Sequence, residues 1–373
     1  MSFTTRRRLV SEVIDGGLLE LRLENVSLPA LAPDQVLLRV EAAPLHPSDM
    51  GMMLMGGDLS RAERIKGGEL PAVRMPLHDL ARPMAAARMG KPIEPGNEGA
   101  GTIVAAGGTP GAALVGQRAA TFGGAMFGDY RIVPAANVTL LPEGVSPREG
   151  AAFFVNPMTA LAMTEVMRRD GARALVHTAA SSTLGGMLQR ICAEDNIPLI
   201  NIVRRAAQEE ALRSGGAEYA ISSGDDSFFT RLTEACASTD ATIAFDAVGG
   251  GGLAGTIMTA MEIAQNRKAP SGSPYGSPVH KHVYVYGRLD TSSIQVPPSI
   301  GMAWGLSGFL VSHFLASAGA DVQQRMTARV LTGLTGTFAT TYSAEVSLVD
   351  LLDPDVLRRA NEKLTGAKLL LRP

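Results

Sequence analysis

The stretch Thr178-Ala179-Ala180-Ser181-Ser182-Thr183-Leu184-Gly185 follows a short apolar run, Ala174-Leu175-Val176-His177, and opens a helical pattern from Leu184 to Glu194. Laid on G-x-G-x-x-G, Ala180, Ser182 and Gly185 take the three small-residue positions. Small side chains there permit a tight turn, a close approach of backbone to a pyrophosphate, and close helix–strand contact. The helix would face the phosphates with its unpaired N–H groups and the positive end of its dipole. Ala180, Ser181, Ser182, Thr183, Leu184 and Gly185 are therefore candidate dinucleotide ligands. A serine-rich turn that only caps a helix would carry the same residues. The next apolar run, Pro198 to Val203, ends in Arg204-Arg205, where an acidic residue would accept from a ribose 2′-hydroxyl. Guanidinium groups suit a 2′-phosphate. The expected cofactor is NADPH rather than NADH.

Two further segments invite chemistry: His46-Pro47-Ser48-Asp49 and Pro95-Gly96-Asn97-Glu98-Gly99-Ala100-Gly101. An imidazole titrates near neutrality and can donate a proton, so His46 is the candidate catalytic residue. The alternative is that His46 only fills space beside the cofactor. The chain has two cysteines, Cys192 and Cys236, with no C-x-x-C spacing. They cannot supply the four clustered thiolates of a structural zinc site, and no metal is expected. Two lone cysteines also fit a reducing compartment.

These residues need two kinds of scaffold. Up to about residue 135, short alternating runs rich in valine, glycine and proline read as strands between turns: Val36–Ala42, Gly101–Ala105 and Tyr130–Val133, with a strand pair around Asp15-Gly16-Gly17. A small twisted β-barrel is expected there. From Glu149 helices alternate with apolar strands, continuing through Thr242–Asp246 and His282–Tyr286, which implies a parallel sheet wound on both faces. The segment from Ala269 to Val279, rich in proline, glycine and serine, reads as a flexible surface loop. Ala367 to Leu371 reads as a strand returning to the first domain. The expected division is 1–138, 139–316 and 317–373, as two domains with a cleft between them.

At 373 residues, with 46% hydrophobic and 19% charged, the chain can bury two cores. Its 34 basic and 36 acidic residues give no field for nucleic acid or an anionic membrane. No apolar run reaches the ~18 residues of a membrane span. The basic start, Arg6-Arg7-Arg8, has no apolar signal core behind it, so a cytoplasmic location is expected.

Taken together these motifs resemble the medium-chain dehydrogenase/reductase superfamily, in particular its zinc-independent quinone oxidoreductases and 2-enoyl thioester reductases. The matching residues include His46-Pro47-Ser48-Asp49, Gly96-Asn97-Glu98-Gly99, Asn156-Pro157-Met158-Thr159-Ala160 and Asn201-Ile202-Val203-Arg204. Asp246-Ala247-Val248-Gly249-Gly250, Tyr286-Gly287 and Gly308-Phe309-Leu310 continue the series. The resemblance implies an α/β fold, a GroES-like twisted β-barrel catalytic domain plus a Rossmann doubly wound parallel-sheet domain. It places Thr159, Tyr286 and Gly287 at the nicotinamide, Phe309 and Leu310 at its carboxamide, and Val248 and Gly249 near the adenosine ribose and pyrophosphate. It also implies a homodimer joined through sheet edges, near Val283 to Ile294.

In the zinc alcohol dehydrogenases of this superfamily a cysteine holds the slot of His46 and a histidine that of Asn97. Both ligand positions are altered here. Without a Lewis acid the substrate must bring its own electrophilicity, as a quinone or an α,β-unsaturated carbonyl does. The expected activity is hydride transfer from NADPH to such a small-molecule acceptor. A 2-enoyl thioester reductase and a non-catalytic NADPH-binding sensor or scaffold are the alternatives. Two departures stand out: relatives usually have asparagine at His46, and the thioester reductases carry a catalytic tyrosine after the first motif. No tyrosine occurs between Asp49 and Gly99. Relative to zinc-free members, residues 51–91 look like an insertion, with Arg61, Arg64, Arg74, Arg82 and Arg88. It reads equally as a lid over the substrate or as surface decoration or an interface.

Overall fold

In the first hairpin, Thr5–Ile14 pairs antiparallel with Leu18–Ser27 around Gly16 and Gly17, which both adopt positive φ. Period-two alternation puts Leu9, Leu19 and Leu21 inward, while Arg22 on the outer face bridges Glu12, Glu20 and Glu24. The computed structural model describes residues 3–65, 67–268, 272–362 and 368–373. They form two compact units, Met1–Val155 with Val330–Pro373, and Asn156–Arg329. The first division falls later than the expected 138/139 because the capped helix Pro147–Gly150 packs on the strands of the first unit.

The first unit holds two sheets. The hairpin lies in one. The other has at its centre Gln35–Pro44, which pairs with Glu98–Ala106, with Tyr130–Pro134 and with the C-terminal strand Leu369–Leu371. Register shifts between Leu37 and Leu38 and between Val40 and Ala42 mark bulges that raise the local twist. Leu38, Ile103, Met126 and Phe127 fill the interior.

Residues 51–91 are not a structureless loop. Ala72–Pro76 joins the hairpin sheet beside Leu18–Ser27, and Glu63–Ile65 adds a further strand. Arg74 stands directly opposite Glu20 and forms an ion pair with it. Arg88 reaches the carbonyls of Met52 and Ser11, each at 3.0 Å. Two of the five arginines thus serve the fold. The alternation Val73-Arg74-Met75 was visible in the sequence but too short to stand out.

The second unit is a six-stranded parallel sheet in the order Tyr219–Ser222, Leu199–Val203, Leu175–Thr178, Ile243–Asp246, Lys281–Val285, Trp304–Gly308. This is the doubly wound order, with its switch point between Leu175–Thr178 and Ile243–Asp246. Trp304–Gly308 was not anticipated, and it corrects the expected dimer edge. Lys281–Val285 is flanked on both sides; among the described residues the edge on its side of the sheet is Trp304–Gly308, and the opposite edge is Tyr219–Ser222.

The expected flexible loop also needs correction. Ala269, Pro270 and Ser271 lie outside the described residues, as does Ala367 of the expected last strand. The rest of the loop is pinned by Glu262, whose carboxylate accepts from Ser277 N at 2.8 Å and pairs with the fully buried Lys281 ammonium. Removing one partner leaves a buried charge uncompensated. Glu262→Ala should therefore lower the unfolding free energy by about 3–5 kcal/mol in urea titrations. Adding Lys281→Met should recover most of that loss. An additive double variant would refute the pairing.

Candidate functional site

In the second unit, the strand Leu175–Thr178 leads into a turn with Ala179 at φ +51°, an uncommon state for a residue with a Cβ. Ser182 caps the helix Thr183–Glu194, its hydroxyl accepting from Gly185 N at 3.1 Å. Gly185 is required: a Cβ there would lie 2.1 Å from the Ala180 carbonyl oxygen. Ala180 is fully buried, and its N–H donates to Ile202 O on the next strand. Ser181, Ser182 and Thr183 remain partly exposed beside the helix N-terminus, while Leu184 is buried as a packing residue.

The neighbouring strand ends gather the other expected residues. Asp246 is buried; its carboxylate accepts from Thr178 Oγ1 (2.7 Å), Val248 N (2.9 Å) and Gly249 N (3.1 Å). It holds the loop that follows its strand. Gly249, at positive φ, would place a Cβ 2.2 Å from Gly287 O, so the 248–249 and 286–287 turns meet backbone to backbone. Arg204 and Arg205 are exposed after Leu199–Val203, and among the described residues neither forms an ion pair. Phe309 N donates to Val285 O at 2.8 Å, while Leu310 is 54% exposed. Both line a cavity of about 210 Å³ with Val166, Arg169, Tyr284 and Phe314. Thr159 is buried on the same helix as Val166 and Arg169, Val155–Arg169, but does not line that cavity. A larger hollow, about 640 Å³, lined by Phe229, Thr256, Thr259 and Pro297, contains none of the expected cofactor residues.

The Tyr286 side chain turns inward, its hydroxyl 2.8 Å from Nε2 of the fully buried His177. Burial raises the Tyr286 phenol and pushes His177 down to about 3. Nδ1 of His177 has no partner among the described residues; leaving an acceptor unpaired costs less than stranding a donor, which favours Nε2–H donating to Tyr286.

The first unit holds a second constellation. His46 precedes the helix Pro47–Leu54, with its backbone N–H held by Asp49 Oδ2 at 2.9 Å. The other Asp49 oxygen accepts from Asn97 N at 2.8 Å, joining the two motifs. Burial raises the Asp49 carboxyl, opposed by His46 and by these backbone donors. His46 is 2% exposed, and its Nε2 lies 2.6 Å from Oε1 of the fully buried Glu98. Glu98 Oε2 accepts from Phe154 N (2.7 Å) and Val155 N (3.1 Å). Lys368 Nζ sits 3.3 Å from His46 Nδ1, and the Asn97 amide donates to Ser48 Oγ at 2.9 Å. Among the described residues no group of three or more His, Cys, Asp or Glu is disposed to hold a metal. Glu98 and Lys368 escaped the sequence reading. Glu98 stood inside a matched motif, but nothing linked Lys368, 322 residues from His46, to that site.

No family model matches the chain. Over 196 residues it is 30% identical to the synaptic vesicle membrane protein VAT-1 homolog of Mus musculus, covering 52% of this chain and 41% of that protein. The chain thus spans about two fifths of that relative's length. Among solved structures, a candidate NADPH:quinone reductase of Mesorhizobium loti matches over 100% of both chains, with TM-score 0.73 and 23% identity. The mitochondrial 2-enoyl thioester reductase heterodimer of Candida tropicalis matches over 99% of this chain and 100% of its own, with TM-score 0.69 and 17% identity. These likenesses establish the fold: a GroES-like β-barrel unit and a Rossmann unit.

The His177 shift ties stability to pH. Between about pH 6.5 and 3 the unfolded chain binds a proton there that the folded protein refuses, so stability falls on acidification by about 1.4 kcal/mol per unit. From pH 7.5 to 5, wild type should lose about 2 kcal/mol that His177→Gln keeps, measured by urea titration. Equal losses would refute the assignment.

Proposed function

We propose that this protein is an NADPH-dependent, zinc-independent reductase of quinones or α,β-unsaturated carbonyls. The Ser182-capped helix N-terminus, with Gly185 permitting close approach, supports the cofactor reading. Arg204 and Arg205, exposed and without ion-pair partners among the described residues, would take the 2′-phosphate. Val248-Gly249 and Tyr286-Gly287 would offer backbone to the cofactor, and Thr159, Phe309 and Leu310 would border its nicotinamide end. When bound, NADPH supplies the hydride. The single observation that carries the reading of the acid–base side is the His46–Glu98–Lys368 network, built around the residue that the resemblance aligns with a metal-ligand position of zinc enzymes. Both ring nitrogens of His46 are engaged and the Asn97 amide is given to Ser48, a set that does not fit a zinc ion.

One observation favours the thioester alternative. Tyr342 is buried, its hydroxyl has no hydrogen-bond partner among the described residues, and the Glu98 charge helps to raise its phenol after burial itself. A tyrosine from the C-terminal segment could stand in for the one lacking between Asp49 and Gly99. We further propose a homodimer through the exposed edge Trp304–Gly308, where Met302 is 73% exposed. A monomeric mass in light scattering would refute it.

NADPH oxidation measured side by side with an ortho-quinone and a short enoyl thioester tests the main reading. Faster quinone turnover supports it; preference for the thioester moves the assignment to Tyr342. Arg204→Ala/Arg205→Ala should weaken NADPH binding at least ~10-fold and leave NADH within ~2-fold, as loss of charge-assisted bonds to one phosphate demands. Equal weakening of both cofactors would remove the 2′-phosphate role.

A further inference from the structure

Lys368 immediately precedes the strand Leu369–Leu371, whose Leu370 and Leu371 pair with Pro44 and Ala43. Leu45 N also donates to Leu369 O at 3.0 Å. This pairing fixes the chain so that the Lys368 ammonium arrives 3.3 Å from His46 Nδ1. His46 itself is closed off. Its Nε2 is taken by Glu98, its Nδ1 by Lys368, and the residue is 2% exposed. Lys368 is only partly buried, and among the described residues its ammonium forms no ion pair. An ammonium has three N–H groups, and one of them meets the imidazole. A cation held this way, in the field of Glu98 and Asp49 but with no direct ion pair among the described residues, is suited to an oxygen that gains negative charge.

We propose that Lys368 is the residue that meets the acceptor's oxygen, and that His46 and Glu98 are positioning residues that aim it; this rests on the reductase reading. Glu98 accepts the Nε2–H, which sets Nδ1 of His46 as the acceptor for Nζ. As hydride reaches the acceptor carbon, negative charge builds on its oxygen. An N–H bond at Nζ breaks, an O–H bond forms, and a neutral amine is left, which regains its proton from water. The acceptor is reduced by two electrons, NADPH is oxidised, and the second hydrogen enters as the Lys368 proton. The groups facing Lys368 are His46 and Asp49 from the first motif and Glu98 from the second. Tyr342 lies near Glu98, and Glu345 on the adjacent strand is paired with Arg148. Burial lowers the ammonium to about 8, against the upward pull of Glu98 and Asp49, so a proton is available near neutrality.

The test uses the full-length protein with NADPH and 9,10-phenanthrenequinone. Lys368→Met should lower kcat/KM at least ~100-fold, as loss of a positioned proton donor does, with NADPH affinity and Tm close to wild type. Wild-type kcat/KM should fall as pH rises through about 8, since the ammonium is then lost. That limb should vanish in Lys368→Met and move to higher pH in Lys368→Arg. If methionine prevents folding, Lys368→Gln takes its place in the same measurements. Activity within threefold of wild type with an unchanged alkaline limb would overturn the inference and leave the reductase reading standing. So would a loss explained wholly by weaker NADPH binding. A wild type that oxidises NADPH with neither quinone nor thioester would sink both.

Discussion

The fully buried carboxylate of Glu98 is the constraint on which the first unit's site depends. A carboxylate out of water must be met by donors, and three arrive: the His46 imidazole and the N–H groups of Phe154 and Val155. The donors come from two distant places in the chain, residue 46 and residues 154–155, so satisfying one charge ties both to the strand that carries Glu98. Asp49 repeats the device one step away, taking the N–H groups of His46 and Asn97. Two buried carboxylates thus dictate where the imidazole stands, and the imidazole then dictates where the Lys368 ammonium can rest.

The second unit solves a comparable problem with backbone. Its strand ends are brought together by missing side chains, Gly185 against Ala180 and Gly249 against Gly287, with Asp246 and Thr178 closing the loop between adjacent strands. Phosphate binding by a helix N-terminus needs close approach and unspent N–H groups. Both follow from small residues at particular positions, which is why a run with one true glycine still reads as a nucleotide turn. Ala179 carries the positive φ that a glycine would adopt more cheaply, so some strain is retained at this turn.

That contrast explains what could be read from the sequence. The small-residue turn after Thr178, the parallel strands and the arginine pair are local patterns, and local patterns survive in a linear text. The strands Ala72–Pro76 and Trp304–Gly308 were missed because each is short, and the second mixes Trp, Gly and Ser with little alternation. Glu262 was unreadable for another reason: a single acid inside a helix says nothing of the loop it will hold. The Lys368 contact is the extreme case, since only the pairing of the last strand with Gln35–Pro44 brings it to His46.

On the reading proposed above, the arrangement around His46 also bears on how such a site would work without a metal. A metal ion stabilises developing negative charge with no proton to account for, and it does so over a wide pH range. An ammonium offers less charge density but delivers the proton as well, and its service ends where it deprotonates. Burial that brings Lys368 down to about 8 makes the proton easier to give and narrows the range in which it is present. On the reading proposed above, acceptors that already delocalise their charge need only that smaller push. The histidine spans the gap between a buried carboxylate and a half-buried ammonium, and that span sets the direction of the ammonium.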